Sequence, residues 1–175
     1  MKWSKKSYFM LLGTIIALLI ILYIFPWNQK INTTLKGIEC RVGDNDYSQD
    51  ISITIKGDYK HFLFKSDTFH GTISIDKYKI TSDDSKVSLV FNKGKSFLIY
   101  MNVVDGKAIQ NPFGLIYCTP NFKKLSIFIY ENSDDNTYTW DTKDGLFISA
   151  PSSNRTRSIK IARYLHERDK SSGFK

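Results

Sequence analysis

The 175-residue sequence is short of cysteine, proline, glycine and histidine. Two cysteines exclude a disulfide-dense scaffold and a four-cysteine metal site. Four prolines and ten glycines exclude collagen-like and Pro/Gly-rich disordered chains. Three histidines, with no HxH or HExxH spacing among them, give no metal signature. The GxSxG nucleophile elbow, Gly-rich phosphate loops and internal repeats are also missing. What the chain has in quantity is aromatic side chains: 12 Phe, 10 Tyr and 3 Trp.

The formal net charge of +8 divides unevenly. Lys2, Lys5 and Lys6 open the chain, and residues 28–150 hold 15 basic and 15 acidic side chains. The remaining excess lies in residues 151–175, with seven basic residues against Glu167 and Asp169. A central region without net charge is a poor match to a phosphate backbone, so nucleic acid is not an expected partner.

Residues 8–27 carry no charge and follow three lysines. Twenty helical residues span about 30 Å, the thickness of a hydrocarbon core. Tyr8, Phe9, Tyr23 and Trp27 stand where an aromatic belt would. The expectation is a transmembrane signal-anchor over 8–27, making the lipid bilayer a partner through this helix. By the positive-inside rule residues 1–7 stay cytoplasmic at the plasma membrane and the rest is extracytoplasmic. A cleaved signal peptide competes, but the apolar run is long and no small-x-small cleavage site follows it.

After a polar stem at 28–35 the apolar pattern has period two. Ile38-x-Cys40-x-Val42, Ile51-x-Ile53-x-Ile55, Val87-x-Leu89-x-Phe91 and Leu125-x-Ile127-x-Ile129 alternate, with turn residues between them. Asn92-Lys93-Gly94-Lys95 reads as a hairpin turn. Alternation favours antiparallel pairing. The predicted fold is therefore mainly β: the N-terminal transmembrane helix, then an antiparallel β-sandwich or barrel-like domain over 36–168. It ends in one helix near 152–167, begun by a Ser cap, and a frayed tail at 169–175.

Candidate chemistry is thin. Cys40 and Cys118 either form a disulfide or remain two buried thiols. His61 and His70 lie in or beside strands that could pair, and His166 falls on the exposed face of the C-terminal helix. Residues 44–50 resemble a calcium loop but lack its Gly and its closing Glu, so a turn is the simpler reading. Glu39 and Glu131 are the only glutamates before the C-terminal stretch, too few to favour paired-carboxylate catalysis. Tyr47, Tyr59, Tyr138 and Trp140 stand near turns, as core or as a binding face. Lys160, Arg163 and Lys170 form a basic helix face suited to an anionic surface. No cofactor is called for.

Phe69-x-Gly71-x-Ile73, Phe113-Gly114-x-Ile116, Asn121-Phe122-x-x-Leu125 and Trp140 with Gly145-Leu146-x-Ile148-Ser149-Ala150-Pro151 resemble a group of small single-anchor or secreted extracytoplasmic proteins of Gram-positive bacteria. The resemblance covers roughly residues 60–160. It implies an extracytoplasmic β domain and supplies no catalytic residue. Together these readings give a non-enzymatic binding or scaffolding module at the cell envelope, with an envelope protein or an anionic envelope polymer as partner. The alternative is an envelope hydrolase.

Overall fold

The computed structural model describes residues 5–82, 85–104, 106–132 and 137–168. Helix α1 (Lys5–Ile24) leads into ten strands: β1 (Trp27–Arg41), β2 (Ser48–His61), β3 (Asp67–Ile75), β4 (Lys86–Phe91), β5 (Lys95–Val104), β6 (Lys107–Cys118), β7 (Leu125–Ile129), β8 (Glu131–Asn132), β9 (Tyr138–Thr139) and β10 (Leu146–Ala150). Helix α2 (Arg155–Glu167) follows. Strands β1 to β7 form an antiparallel meander, and β10 pairs with both β7 and β1. The sheet therefore closes into an eight-stranded barrel, while β8 and β9 make a separate small hairpin.

The N-terminal expectation is corrected. The helix stops at Ile24, and Trp27 is already strand, paired with His61. Of the uncharged residues 8–27 only 8–24 are helical. Among the described residues no helix is long and apolar enough to cross a membrane. Residues 8–27 therefore do not form the transmembrane signal-anchor expected of them. The stem at 28–35 is likewise strand, pairing residue by residue with β2.

The barrel interior is filled by side chains. Ile53, Ile55, Phe69, Ile73, Leu89, Leu98, Tyr100, Ile116 and Ile127 are fully or almost fully buried there. Two plugs close its ends. At one end Asn121 and Phe122 both take left-handed backbone, φ 63° and 54°, which turns the Phe122 ring inward. That ring packs edge-on to Phe69 at 4.9 Å, Phe91 at 5.9 Å and Tyr59 at 6.0 Å. Two left-handed residues cost about 2–4 kcal/mol together, against about 2–3 from full burial of the Phe and about 0.5–1.5 from each of its three ring contacts. At the other end Tyr78 packs edge-on to Phe113 at 5.1 Å, and Tyr100 does so at 5.6 Å.

A second apolar cluster lies outside the barrel wall. Helix α2 buries Ile161, Ala162 and Leu165 against Ile38, Cys40, Tyr117, Phe128 and Phe147. Strand β7 is buried at every position because it faces the barrel core on one side and this cluster on the other. The helix is capped by Asn154, whose side chain accepts from the Arg157 amide at 2.9 Å, rather than by a serine. The hairpin at 92–95 forms as expected. Lys93 and Gly94 have positive φ, and Asn92 and Lys95 exchange backbone hydrogen bonds.

Gly57 and Gly71 pair across β2 and β3 where the Phe69 ring crosses the barrel. A Cβ on Gly71 would come within 2.1 Å of the Lys56 carbonyl oxygen and 2.7 Å of the Gly57 Cα. Gly71→Ala is expected to lower unfolding stability by about 3 kcal/mol. Urea denaturation of the variant beside the parent chain measures it, and an unchanged midpoint contradicts this packing.

Candidate functional site

The lumen is filled by side chains, and among the described residues recesses lie at a barrel end and on the outer wall. One is the barrel mouth on the Phe122 side, an open cavity of about 760 Å³. Three connections build it: residues 61–67 between β2 and β3, the 92–94 turn, and the approach to Pro120 between β6 and β7. Asp67 is one of its lining residues. The Asp67 carboxylate accepts from the Tyr59 hydroxyl at 2.6 Å and the Phe62 amide at 2.9 Å, and lies 2.9 Å from His61 Nδ1. Its charge is thus largely satisfied from within. Burial, reinforced by the hydrogen bond to Asp67, pushes the Tyr59 hydroxyl well above the usual tyrosine range.

The rim carries Lys65, Lys93 and Arg168 against that single carboxylate. It also shows apolar surface: Phe64 is 64% exposed, Leu63 is open beside it, and exposed Trp27 stands against His61. Tyr23, at the end of α1, stacks on Phe64 at 6.1 Å and lies under the Lys65 ammonium at 4.7 Å. Trp27 faces the His61 ring at 5.9 Å. The mouth therefore presents cations and flat apolar faces together.

Cys118 also lines the mouth, but its thiol is buried, and burial with nearby Asp67 pushes it far above the ordinary cysteine range. It is unsuited to act as a thiolate nucleophile. Cys40 lies in the outer cluster beneath α2, and both cysteines are free, so the candidate bridge is not formed. Burial raises the Cys40 thiol as well.

The opposite end holds a different polar cluster. Glu39 is 0% exposed and points inward beside the barrel end. It accepts from the Tyr47 hydroxyl, the Tyr78 hydroxyl and the Lys77 ammonium. Gln49 receives a second Lys77 hydrogen bond at 2.9 Å. Partial burial alone would lower the Lys77 pKa, but the bonds to Glu39 and Tyr47 outweigh it and hold the ammonium above the ordinary lysine range. Burial and the Glu39 bond raise Tyr78. Every oxygen of the carboxylate has a donor, so the group is a structural latch for the β3–β4 connection.

The other candidates disperse. His70 pairs with Ser88 at 2.9 Å on the outer wall, away from His61 and Asp67. His166 is buried against Tyr117 and Phe128, at ring distances of 5.5 and 6.1 Å, instead of lying exposed. Among the described residues no group of three metal-ligating side chains gathers. Asp44 closes its own turn by accepting from the Asp46 and Tyr47 amides. Glu131 pairs with Arg41 at 2.8 Å. Arg155 does not join the exposed basic face. It donates to the carbonyls of Tyr47 and Arg41, at 3.0 and 2.9 Å. Lys160 and Arg163 are exposed on α2, and Lys170 lies outside the described residues. Tyr138 is exposed and Trp140 half-buried.

No protein-family model, no curated protein and no solved structure matches this chain.

Two measurements check this description. Raised folded-state pKa values mean that the folded state holds these protons more tightly than the unfolded one. For Tyr59, Tyr78, Tyr100 and Lys77 that stability is full below about pH 10 and is lost as pH rises through the folded values. Stability is expected to be flat to about pH 8, to begin falling where the Cys40 and Cys118 thiols, also raised in the folded chain, would ionise in the unfolded one, and to fall more steeply above about pH 10, each group contributing at most about 1.4 kcal/mol per pH unit. Tyr78→Phe should make the fall shallower, and constant stability to about pH 11 contradicts the assignment. In thiol titration under native conditions both cysteines should react slowly, and both should react at once in denaturant without reductant. A non-reactive pair in denaturant means a disulfide.

Proposed function

We propose that this protein is a non-enzymatic binding module of the cell envelope that holds an anionic envelope polymer at the mouth of its barrel. The carrying observation is the cationic rim of Lys65, Lys93 and Arg168 around an open cavity, set among exposed Phe64, Leu63 and Trp27. Cations suit phosphate or carboxylate groups, and flat aromatic faces suit the CH surfaces of sugar or polyol repeats. Lys160 and Arg163 are exposed on α2 but do not line the mouth.

The hydrolase alternative draws on the His61–Asp67 pair, in which Asp67 orients an imidazole inside the cavity. The buried Cys118 thiol beside it gives that pair no activated nucleophile.

The test is binding of full-length protein to inorganic polyphosphate and to a glycerol-phosphate polymer, at low and physiological salt. Binding is expected to weaken with salt and to drop at least about tenfold when Lys65, Lys93 and Arg168 become Gln. Phe64→Ser should weaken the glycerol-phosphate polymer more than polyphosphate. Binding to anionic lipid vesicles but to neither polymer overturns the reading, as does polymer binding that the triple substitution leaves intact.

A further inference from the structure

A second recess lies on the outer wall, between α2 and the barrel. Arg155, Ile159, Ala162 and His166 recur every three or four residues along α2 and form one side of it. Phe128 of β7 and Phe147 of β10 form the floor, and Trp140 supplies a wall. Trp140 is held there by donating its indole N–H to the Leu146 carbonyl at 2.9 Å and by packing edge-on to Phe128 at 4.7 Å. Gly145 permits this, since a Cβ there would lie 2.4 Å from the Trp140 Nε1. The hollow measures about 170 Å³. Apolar cavities of about 150 Å³ admit a benzene-sized guest.

Its charged lining is cationic, with neither Asp nor Glu among the lining residues. The Arg155 guanidinium is engaged by the Tyr47 and Arg41 carbonyls. That leaves Arg163, exposed at the rim, as the cation an incoming group meets. An apolar slot of this volume with a guanidinium at its lip complements one kind of small molecule. We propose that the slot is a binding site for a small monocarboxylate bearing a phenyl or branched aliphatic group. The apolar group enters between Trp140 and Ile159, and the carboxylate pairs with Arg163. This site is separate from the barrel mouth and uses none of its residues.

The experiment is a titration of isotope-labelled full-length protein with 3-phenylpropionate, followed on the Trp140 indole signal assigned through Trp140→Phe. A saturable shift is expected, with a dissociation constant of order 1 mM, as suits so small a ligand. The uncharged analogue 3-phenylpropan-1-ol should bind at least about fivefold more weakly. Arg163→Gln should bring the acid down to the level of the alcohol and leave the alcohol unchanged. Ala162→Leu should fill the slot and weaken both ligands. If that variant does not fold, the Arg163→Gln comparison still decides. An unmoved Trp140 signal overturns the proposal. So does equal binding of acid and alcohol to the parent chain, or equal loss of both in Arg163→Gln.

Discussion

Closure of the sheet between β1 and β10 is the constraint on which the rest of the molecule depends. The contact is short: four register pairs, from Ile38 opposite Ser149 to Arg41 opposite Leu146. Where the ladder ends, side chains continue it. The Ser152 hydroxyl accepts from the Ile38 amide at 3.0 Å, and the Ser152 amide donates to the Lys36 carbonyl at 3.0 Å. The Ser158 hydroxyl, from α2, donates to the Ile38 carbonyl at 3.2 Å. Gly37 lets the two chains approach, since a Cβ there would sit 2.8 Å from the Ser149 carbonyl oxygen. One seam thus satisfies the backbone of β1 and starts α2 on its course along the outer wall.

From that closure the rest follows. A closed eight-stranded sheet has an interior just wide enough for side chains to fill, and here large aliphatic and aromatic residues fill it. Phe122 at one end and Tyr78 with Glu39 at the other finish the filling. The open recesses lie instead at the rim and on the outer wall. The mouth owes its recess to loops that stand above the Phe122 plug, and its charge to lysines on those loops and to Arg168 at the end of α2. The outer slot exists because α2 and the Trp140 loop meet over Phe128 without filling the space between them.

Much of the strand pattern was legible in the sequence, and for clear reasons. Alternation at 51–55, 87–91 and 125–129 marks barrel positions, and the Asn-Lys-Gly-Lys turn locates its hairpin. Closure was not legible, because the β1–β10 contact joins residues more than one hundred positions apart. The polar residues 28–35 read as a stem because nothing local shows that β2 will pair with them. Alternation also misleads where both faces of a strand are covered. Ile38 and Cys40 face α2, so Glu39, the polar residue between them, is the one that points into the barrel. The end of α1 was signalled by Pro26, but the apolar run across it masked the change to strand. The mouth was missed because its residues come from three loops. Their one local sign was apolar Phe62-Leu63-Phe64 ending in Lys65 beside a turn.

The most direct test of a filled barrel that binds at its rim is hydrogen exchange with mass spectrometry on the full chain, with and without the glycerol-phosphate polymer. The account predicts added protection confined to residues 61–67, 92–94 and 118–122 and to the end of α2, with the interior strands already protected in the free protein. Protection spread along the inward-facing strands, or placed on the outer face around Lys30, Asp58 and His70 with none at the mouth, would contradict it.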